Sequence, residues 1–406
     1  MEKVTKDDLA SIIYTSGTTG QPKGVMLTHN NIVSNVTSCI ERIPTQPAKS
    51  SALSFLPVSH IFERMILYLY QHFGISIYFA ESLDKISQNL QEVSPEIITA
   101  VPRLYEKIFQ KIIAKGALLG GIKKYLFDWS IRLGKKYEPK GKSWGYRLQL
   151  WIARKLVFSK WKVGLGGNIK VMVSGGAALQ EKIARVFGAA DIPIAEGYGL
   201  TETSPVIAVN NVVNGEYKPG TVGPILEGVA VKIKKDGEII VKGPNIMKGY
   251  YKDPELTKKT IQNGYFYTGD IGTITKENFL KITGRKKEIF KTSLGKYVNP
   301  NLIEDELKSI DIINQAMVVG EKEKLVAAII EIDWEIAKNW AKEKSIQFSE
   351  KVDFIKNKIV ISYLKEVIDI CNKNFSSPFD WTVDAGLITP TLKLKRKKII
   401  EAYSIF

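Results

Sequence analysis

Short apolar runs separated by glycine-rich and polar loops characterise the first part of the chain. Five of these runs have the length and flanking residues of strands: Leu9–Tyr14, Ala52–Phe55, Ile75–Ala80, Ile97–Ala100 and Lys170–Val173. Helix signals lie between and after them, with Asn30 as a predicted N-cap and a further helix from about Gln180. This alternation of strands and helices predicts a mixed α/β core.

One long segment, 104–160, follows the period of a helix. Within it, Leu148, Trp151, Ile152 and Leu156 share one helical face. We therefore predict a helical insertion over about 104–165.

The pattern changes near residue 215. Short β segments punctuated by glycine follow, at Val229–Lys234, Glu238–Val241 and Phe279–Ile282. They predict a small β-rich part over about 215–284.

A compact α+β pattern begins at about Lys287. Its predicted elements are a helix at Pro300–Ser309, strands at Ala316–Val319 and Ala327–Ile332, and helices through 335–375. We therefore predict two domains, a large one over 1–286 and a small C-terminal one over 287–406.

Composition narrows the class of protein. The chain has 406 residues, 44% hydrophobic and 25% charged, which is typical of a globular enzyme. The two cysteines, Cys39 and Cys371, exclude a disulfide framework and favour a reducing compartment. No apolar run approaches the ~20 residues that span a bilayer. We expect a cytoplasmic protein.

The net charge of +16 is concentrated in the helical insertion. Residues 104–165 hold 15 Lys or Arg against three acids, a net of +12, and four of the seven tryptophans. Two interpretations stay open: a solvated insertion, and peripheral contact with an anionic membrane at its inner face. Nucleic acid is disfavoured, because no nucleic-acid motif accompanies the charge.

The first chemistry-bearing string runs from Tyr14 to Gly24, Tyr-Thr-Ser-Gly-Thr-Thr-Gly-Gln-Pro-Lys-Gly. Glycines let the backbone approach an anion closely, while hydroxyl and N–H groups donate to phosphate oxygens. Lys23 adds a positive charge. The spacing differs from a Walker A loop. The string predicts phosphate binding.

Two further strings follow strands. Ser174–Ala178 has the small residues that let a flat ligand lie against the backbone, although an ordinary tight turn looks the same. Glu196–Thr203 combines an aromatic ring, two glycines, hydroxyls and acids. There Tyr198 can pack on a base, and Glu202 can hold a hard cation beside phosphates.

The last two strings are more ordinary when taken alone. Tyr267–Asp270 ends in a carboxylate that can accept both hydroxyls of a ribose, and Arg285 follows with a donor for ribose or phosphate. The run Thr389–Arg396 reads, in isolation, as a solvated basic tail.

Together and in this order, the five strings resemble the adenylate-forming acyl-CoA synthetases. Four features resemble the long-chain fatty acid–CoA ligases in particular: the run Leu56–Arg64, the basic aromatic insertion, Gly284–Lys291 and the tail Lys393–Arg396. The resemblance covers essentially the whole chain. It implies a large adenylate-forming α/β domain with a small β subdomain, followed by a small, mobile α+β domain.

The resemblance also implies roles for matched residues. The implied ATP-binding residues are Thr15, Ser16, Gly17, Thr18, Thr19, Gly20, Lys23, Gly175, Gly176, Ala177, Glu196, Gly197, Tyr198, Gly199, Thr201, Asp270 and Arg285. Those assigned to catalysis are Lys393, Thr201 and Glu202, of which Glu202 is also the implied Mg²⁺ ligand.

Three further roles lie outside the nucleotide site. His60 matches a position beside the acyl pocket, although a lone His on an apolar stretch is equally compatible with the core. Lys287 matches the hinge between the domains. The loop around Ser293, Leu294 and Gly295 matches the part that faces CoA.

The implied reaction has two steps. A long-chain fatty acid and ATP give acyl-AMP and pyrophosphate with Mg²⁺, and CoA then displaces AMP. Two enzyme alternatives stay open: an acyl-AMP ligase that loads a carrier protein, and an amino-acid-activating domain. The latter is disfavoured, because the run Leu56–Arg64 has no acid before Glu63.

The position of the phosphate string departs from the family pattern. Family members normally carry a sizeable region before it, whereas here it begins near residue 15. We therefore expect a truncated chain whose first strand lacks neighbours. A truncated, inactive remnant with a membrane-binding basic segment is the non-enzyme alternative.

Overall fold

A computed structural model describes residues 3–16, 22–44 and 46–373 of the chain. They form two compact units, divided between Ile282 and Thr283. Among these residues, no helix combines the length and the apolar character that crossing a bilayer requires.

The first unit carries fourteen strands and nine α-helices among the described residues. Its strands are β1 (Leu9–Ser16), β2 (Pro22–Thr28), β3 (Ser51–Ser54), β4 (Ser76–Phe79), β5 (Ile97–Ala100), β6 (Val171–Ser174), β7 (Ile194–Gly199), β8 (Val206–Val209), β9 (Ala230–Ile233), β10 (Glu238–Lys242), β11 (Gly249–Tyr250), β12 (Ile261–Gln262), β13 (Tyr265–Ile274) and β14 (Leu280–Arg285), which crosses the division. Its helices are α1 (His29–Ser38), α2 (Ile61–His72), α3 (Ile86–Val93), α4 (Pro102–Ala117), α5 (Gly121–Lys135), α6 (Trp144–Ala153), α7 (Ser159–Gly164), α8 (Glu181–Ala189) and α9 (Pro254–Thr260).

A six-stranded sheet forms the centre of this unit. Its order is β4-β3-β5-β6-β7-β8, parallel except for the β7–β8 pair. Ile97 and Val171 pack into one apolar cluster, whereas their neighbours Ile98 and Met172 pack into another. The sheet is therefore buried on both faces, as all-parallel sheets generally are. The carboxyl ends of β3, β5, β6 and β7 meet at one edge, where α/β sheets bind ligands.

Two smaller sheets complete the unit. Strands β1, β2 and β11 form one of them, with β2 in the centre. The order β12-β13-β10-β9, with β14 paired to β13, forms the other. The second corresponds to the predicted β-rich part, and the mixed α/β fold class is confirmed.

The first helix begins two residues before the predicted position. Thr28, not Asn30, is the N-cap, because the Thr28 hydroxyl accepts a hydrogen bond from the backbone N–H of Asn31 at 3.2 Å. In return, the side-chain oxygen of Asn31 accepts a hydrogen bond from the backbone N–H of Thr28 at 2.9 Å. This reciprocal capping box satisfies two donors that the helix leaves unpaired, so Asn30 lies inside the first turn.

The predicted helical segment is broken into several pieces. Helices α4 to α7 are separated by short loops, and a π-helical stretch, Arg154–Phe158, joins α6 to α7. Of the predicted common face, Leu148, Trp151 and Leu156 are exposed to solvent. The side chains that pack inward from this part are Leu150, Ala153, Phe158 and Trp161.

The second unit is an α+β body. Its elements are β15 (Phe290–Lys291), β16 (Tyr297–Val298), α10 (Pro300–Ser309), β17 (Ile313–Val319), β18 (Ala327–Ile332), α11 (Trp334–Glu343), α12 (Lys351–Lys356) and α13 (Lys358–Lys373). Strands β17 and β18 pair antiparallel, and α10, α11 and α13 pack with them around one core. The helical stretch predicted over 335–375 is thus three helices.

Buried asparagine side chains hold the segment between β7 and β8. The Asn35 amide donates to the Val206 carbonyl at 2.7 Å, and its oxygen accepts from the Val206 N–H at 3.1 Å. Asn245 donates to the carbonyl of Thr203 at 3.0 Å. Asn31 donates to the carbonyls of Pro244 and Ile246 at 2.8 Å, which positions Asn245 between them. These side chains replace the partners that irregular backbone lacks.

Asn35→Leu tests this arrangement. The substitution keeps the size of the side chain but removes the partner of the Val206 N–H and leaves the Val206 C=O with only the longer bond from Asn245 at 3.3 Å. A buried backbone group that loses its partner costs roughly 1–3 kcal/mol. We expect the free energy of unfolding to fall by about 2–5 kcal/mol, measured by urea denaturation. Thr37→Val, on the exposed side of the same helix, should change it by less than about 1 kcal/mol. Equal effects would show that the Asn35 bonds contribute nothing specific.

Candidate active site

The phosphate string brackets the tip of a β-hairpin. Thr15 lies opposite Lys23, and Ser16 lies opposite Pro22, in the antiparallel pair β1–β2. Residues 17–21 join these ends; the predicted ligands Gly17, Thr18, Thr19 and Gly20 therefore lie outside the described residues. The hairpin brings Thr15 and Lys23 side by side at the base of this loop.

Lys23 and Glu202 share one neighbour, Tyr250. The Lys23 ammonium lies 5.7 Å from the centre of the Tyr250 ring, and the Tyr250 hydroxyl donates to Glu202 Oε1 at 2.8 Å. Burial, reinforced by the negative charge of Glu202, raises the pKa of Tyr250, so its proton stays available for this bond. No string in the sequence points to Tyr250, because strand β11 is two residues long and carries no distinctive pattern.

This arrangement fits the binding mode of Mg²⁺. The described residues contain no group of three or more His, Cys, Asp or Glu that would form an all-protein metal cage. Mg²⁺ is commonly held by one or two carboxylates together with substrate phosphates. A carboxylate at Glu202, close to the lysine of a phosphate string, has the chemistry that this mode requires.

The third and fourth strings meet through a hydrogen bond. The Tyr198 hydroxyl donates to Asp270 Oδ2 at 2.8 Å, although the two residues are far apart in sequence. Asp270 is 97% buried in β13, and its N–H donates to the Thr268 hydroxyl at 3.0 Å. Thr201 and Glu202 follow Tyr198 on the short helical turn Thr201–Thr203. The segment 198–202 therefore connects Asp270 at one end with Tyr250 and Lys23 at the other.

Gly199 has a steric reason to be glycine. A Cβ at this position would lie 1.7 Å from the carbonyl oxygen of Pro205, which is backbone and cannot give way. Gly197, two residues earlier on β7, has ordinary space by comparison, with its nearest neighbour at 3.4 Å.

The small residues after β6 lie against the start of α2. A Cβ on Gly175 would come within 2.8 Å of the Phe62 ring. Gly176 has φ = +81°, in the region that favours glycine, and Ala177 follows it in the same loop. The glycines thus allow a turn that passes closely beneath an aromatic side chain.

His60 and Glu63 stand in contrasting environments. His60 is exposed at the N-cap of α2, so the alternative that it belongs to the core is wrong. Glu63 is fully buried and accepts a hydrogen bond from the Ser54 hydroxyl. Burial raises the pKa of Glu63 to about 7, and the Ser54 bond opposes that shift.

Glu196 is the second buried carboxyl near the site. Its burial raises its pKa to about 8, while backbone hydrogen bonds from Gly220 and Leu179 oppose the shift and the charge of Glu181 adds to it. Its own carbonyl accepts from the Asn210 N–H at 2.9 Å. The side chain assigned to ATP binding is therefore held in the protein interior.

The remaining predicted site residues belong to the second unit. Arg285 ends β14, and Lys287 lies exposed in the turn that follows. Ser293, Leu294 and Gly295 form the exposed turn between β15 and β16, where Gly295 has φ = +83°. Lys393 lies outside the described residues.

Glu196→Gln should remove a pH dependence of stability. The folded-state pKa of about 8 exceeds the ordinary value of 4.5, so the unfolded chain loses this proton first as the pH rises. The stability that Glu196 contributes is full below pH 4.5 and is lost progressively up to about pH 8. We therefore expect the melting temperature of the variant, relative to the parent, to rise between pH 5 and pH 8.5.

Glu255→Gln is the matched control, because that carboxyl is exposed on α9. The difference in melting temperature between Glu255→Gln and the parent should not change with pH above pH 5.5. A flat difference for Glu196→Gln as well would mean that the buried carboxyl is ionised in the folded protein.

Comparison with known proteins places the site in a family. A family model for AMP-binding enzymes matches residues 1–251. The chain is 33% identical to the long-chain-fatty-acid–CoA ligase FadD15 of Mycobacterium bovis over 415 residues, covering 98% of this chain and 68% of that protein.

Two solved structures share the fold. ATP-bound MatB from Rhodopseudomonas palustris matches with a TM-score of 0.68 at 24% identity, over 99% of this chain and 69% of that one. The o-succinylbenzoate CoA synthetase MenE from Bacillus subtilis, in complex with ATP and magnesium, matches with a TM-score of 0.59 at 22% identity, over 87% and 64%. The chain therefore belongs to the AMP-binding, adenylate-forming enzymes and, within them, to the long-chain fatty acid–CoA ligases.

Proposed function

We propose that this chain activates a long-chain fatty acid with ATP and passes the acyl group to CoA. The observation that carries the proposal is the segment 198–202. Through Tyr198 it reaches the buried carboxylate of Asp270, and through Glu202 it reaches Tyr250 and Lys23. A nucleotide needs a carboxylate for its ribose and cations for its phosphates, and one short segment connects both.

The proposed roles follow from this chemistry. Asp270 accepts hydrogen bonds from the ribose hydroxyls, and Tyr198 packs beside the base. The loop between Thr15 and Lys23 surrounds the terminal phosphates, and the loop from Gly175 to Ala177 gives the adenine a flat surface. Glu202 holds Mg²⁺, which when bound neutralises negative charge on the phosphates.

Two displacements complete the proposed reaction. An oxygen of the fatty carboxylate bonds to the α-phosphorus of ATP, and the bond to the β-phosphate bridging oxygen breaks, releasing pyrophosphate. The CoA sulfur then bonds to the acyl carbon, AMP leaves with the carboxylate oxygen, and the thiol proton passes to solvent. We assign Lys393 and Thr201 to the first step, Ser293–Gly295 to contact with CoA, Lys287 to the hinge, and Arg285 to the nucleotide.

We place this activity at a membrane surface. Long-chain fatty acids partition into bilayers, and the segment 104–165 carries a net charge of +12 that favours an anionic surface. We assign His60, exposed at the start of α2, to a position beside the acyl pocket.

The direct test is the identity of substrate and acceptor. Exchange of labelled pyrophosphate into ATP should depend on a long-chain fatty acid and on Mg²⁺, and should not respond to amino acids. Adding CoA should yield acyl-CoA and AMP. Acyl transfer to a carrier protein without transfer to CoA would instead assign an acyl-AMP ligase, and the absence of any fatty-acid-dependent exchange would contradict the proposal.

Glu202→Gln should selectively impair the first step. The amide keeps the size of the side chain but removes the charge that pairs with Mg²⁺, so we expect exchange to fall on the order of 100–1,000-fold with the fold intact. Tyr250→Phe should have a smaller effect, seen as a higher Mg²⁺ requirement, because the carboxylate remains. Glu255→Gln should match the parent. Unchanged exchange at limiting Mg²⁺ in Glu202→Gln would assign the metal to another residue.

A further inference from the structure

Helix α6 is apolar on two opposite faces. Its inner face packs Leu150 and Ala153 into the core. Its outer face presents Trp144, Leu148 and Trp151, spaced by four and three residues, as one stripe along the helix. Trp144 is 78% exposed and Trp151 is 59% exposed. A helix of a globular protein normally turns a polar face to water, so this second apolar face has the character of a contact surface.

Positive charge surrounds the stripe. Arg147 and Lys155 are exposed on the same side of the helix, and the Lys155 ammonium lies 5.5 Å from the centre of a Trp151 ring. Lys160 follows, also exposed. The sequence contains no Asp or Glu from Pro139 to Gln180. This face therefore combines exposed apolar rings with positive charge, which complements a surface that is both apolar and anionic.

A cleft of about 300 Å³ adjoins the stripe, between the end of α5 and α6. Lys142, Arg147 and Trp151 line it. Its one acid, Glu138, is already paired with Arg185. Another lining cation, Arg154, donates to the carbonyl of Ala189 at 2.8 Å. Lys142 and Arg147 form no ion pair with any residue in the described part of the chain, although the Lys142 ammonium lies 5.5 Å from the centre of the Tyr146 ring. Their charges are therefore not neutralised by a carboxylate.

We propose that the outer face of α6 docks on an anionic lipid membrane. Trp144, Leu148 and Trp151 enter the interfacial region, while Lys142 and Arg147 hold a lipid phosphate in the cleft. The docking surface is argued independently of the proposed function. Only its purpose, the delivery of a fatty acid from the bilayer, rests on that function.

The residue types favour a membrane over other anionic or apolar partners. Tryptophan is enriched at membrane–water interfaces, where its ring is partly apolar and its N–H stays hydrated. Lysine and arginine stems lie along apolar surface while their charges reach the headgroups. Because the exposed stripe runs along α6, docking would place this helix in the plane of the interface.

The test measures binding to vesicles separately from catalysis. The full chain is titrated with phosphatidylcholine vesicles with and without 30% phosphatidylglycerol, followed by sedimentation and by quenching of tryptophan with brominated lipid. We expect tighter binding to the anionic vesicles, weakened by salt. The triple variant W144S/L148S/W151S should bind about tenfold more weakly or worse and lose most of the quenching.

A charge variant separates the two parts of the surface. K142Q/R147Q should lower the affinity for anionic vesicles and reduce its salt dependence, but leave the residual binding to neutral vesicles unchanged. The matched controls are V33S/L83S, at exposed apolar positions elsewhere, and K258Q/K259Q on α9; both should bind as the parent does. Circular dichroism checks that every variant is folded.

Each contrary result overturns the proposal. Equal binding of the parent to neutral and anionic vesicles would do so, as would a triple variant that binds as the parent does. So would parent chains that form dimers which the triple variant abolishes, or RNA binding that these variants remove while vesicle binding persists. Pyrophosphate exchange without vesicles should be the same in all these variants, so a failure of the proposed function is seen there and a failure of docking is seen in the vesicle assay.

Discussion

The candidate site depends on the need to pair buried backbone polar groups in an irregular segment. The stretch from Leu200 to Val206 belongs to neither a regular helix nor a strand over most of its length, yet it lies in the interior. Asn35 and Asn245 supply the missing donors and acceptors, and Asn31 fixes the backbone that carries Asn245. Because of these bonds, Glu202 is held where Tyr250 can reach it.

The carboxyl groups around the site fall into two sets, one with raised pKa values and one that accepts hydrogen bonds from tyrosine. Glu63 and Glu196 are withdrawn from water, and the pKa of each is raised because a buried carboxylate loses its hydration. Both groups therefore carry less negative charge near neutral pH than an exposed carboxylate does. Glu202 and Asp270 instead each accept a hydrogen bond from a tyrosine hydroxyl, Tyr250 and Tyr198 respectively, which fixes one oxygen of each carboxylate. The protein thus surrounds an anionic substrate with few uncompensated negative charges.

The same unit combines a buried sheet with an insertion whose outer side is apolar and basic. The sheet positions loops at the carboxyl ends of its strands, which suits a soluble nucleotide. The insertion displays tryptophan and arginine side chains to the outside, which suits an amphiphilic substrate that is stored in membranes. Under the two proposals, the substrates would approach by different routes, one polar and one interfacial.

The family could be identified from the sequence, because the residues of its strings are required by the backbone and the chemistry close to them. A glycine such as Gly199 is required by the backbone beside it, and the hydroxyls and Lys23 lie within one hairpin. The bounds of Ile97–Ala100, Pro300–Ser309 and Ala327–Ile332 were also predicted correctly, since strong local patterns agree with the environment there.

The structure decided which residues join the site, which aromatic side chains are buried and where the first helix begins. Tyr250 joins the site through pairing of β11 with β2, Trp161 is buried while Trp151 is exposed, and Thr28 caps the helix where Asn30 was predicted. The positions of Tyr250, Trp161 and Trp151 depend on which distant elements pack against them, and a periodicity along one segment contains no information about that. The Thr28 cap instead depends on a local capping box with Asn31, which only the backbone geometry at the helix start reveals.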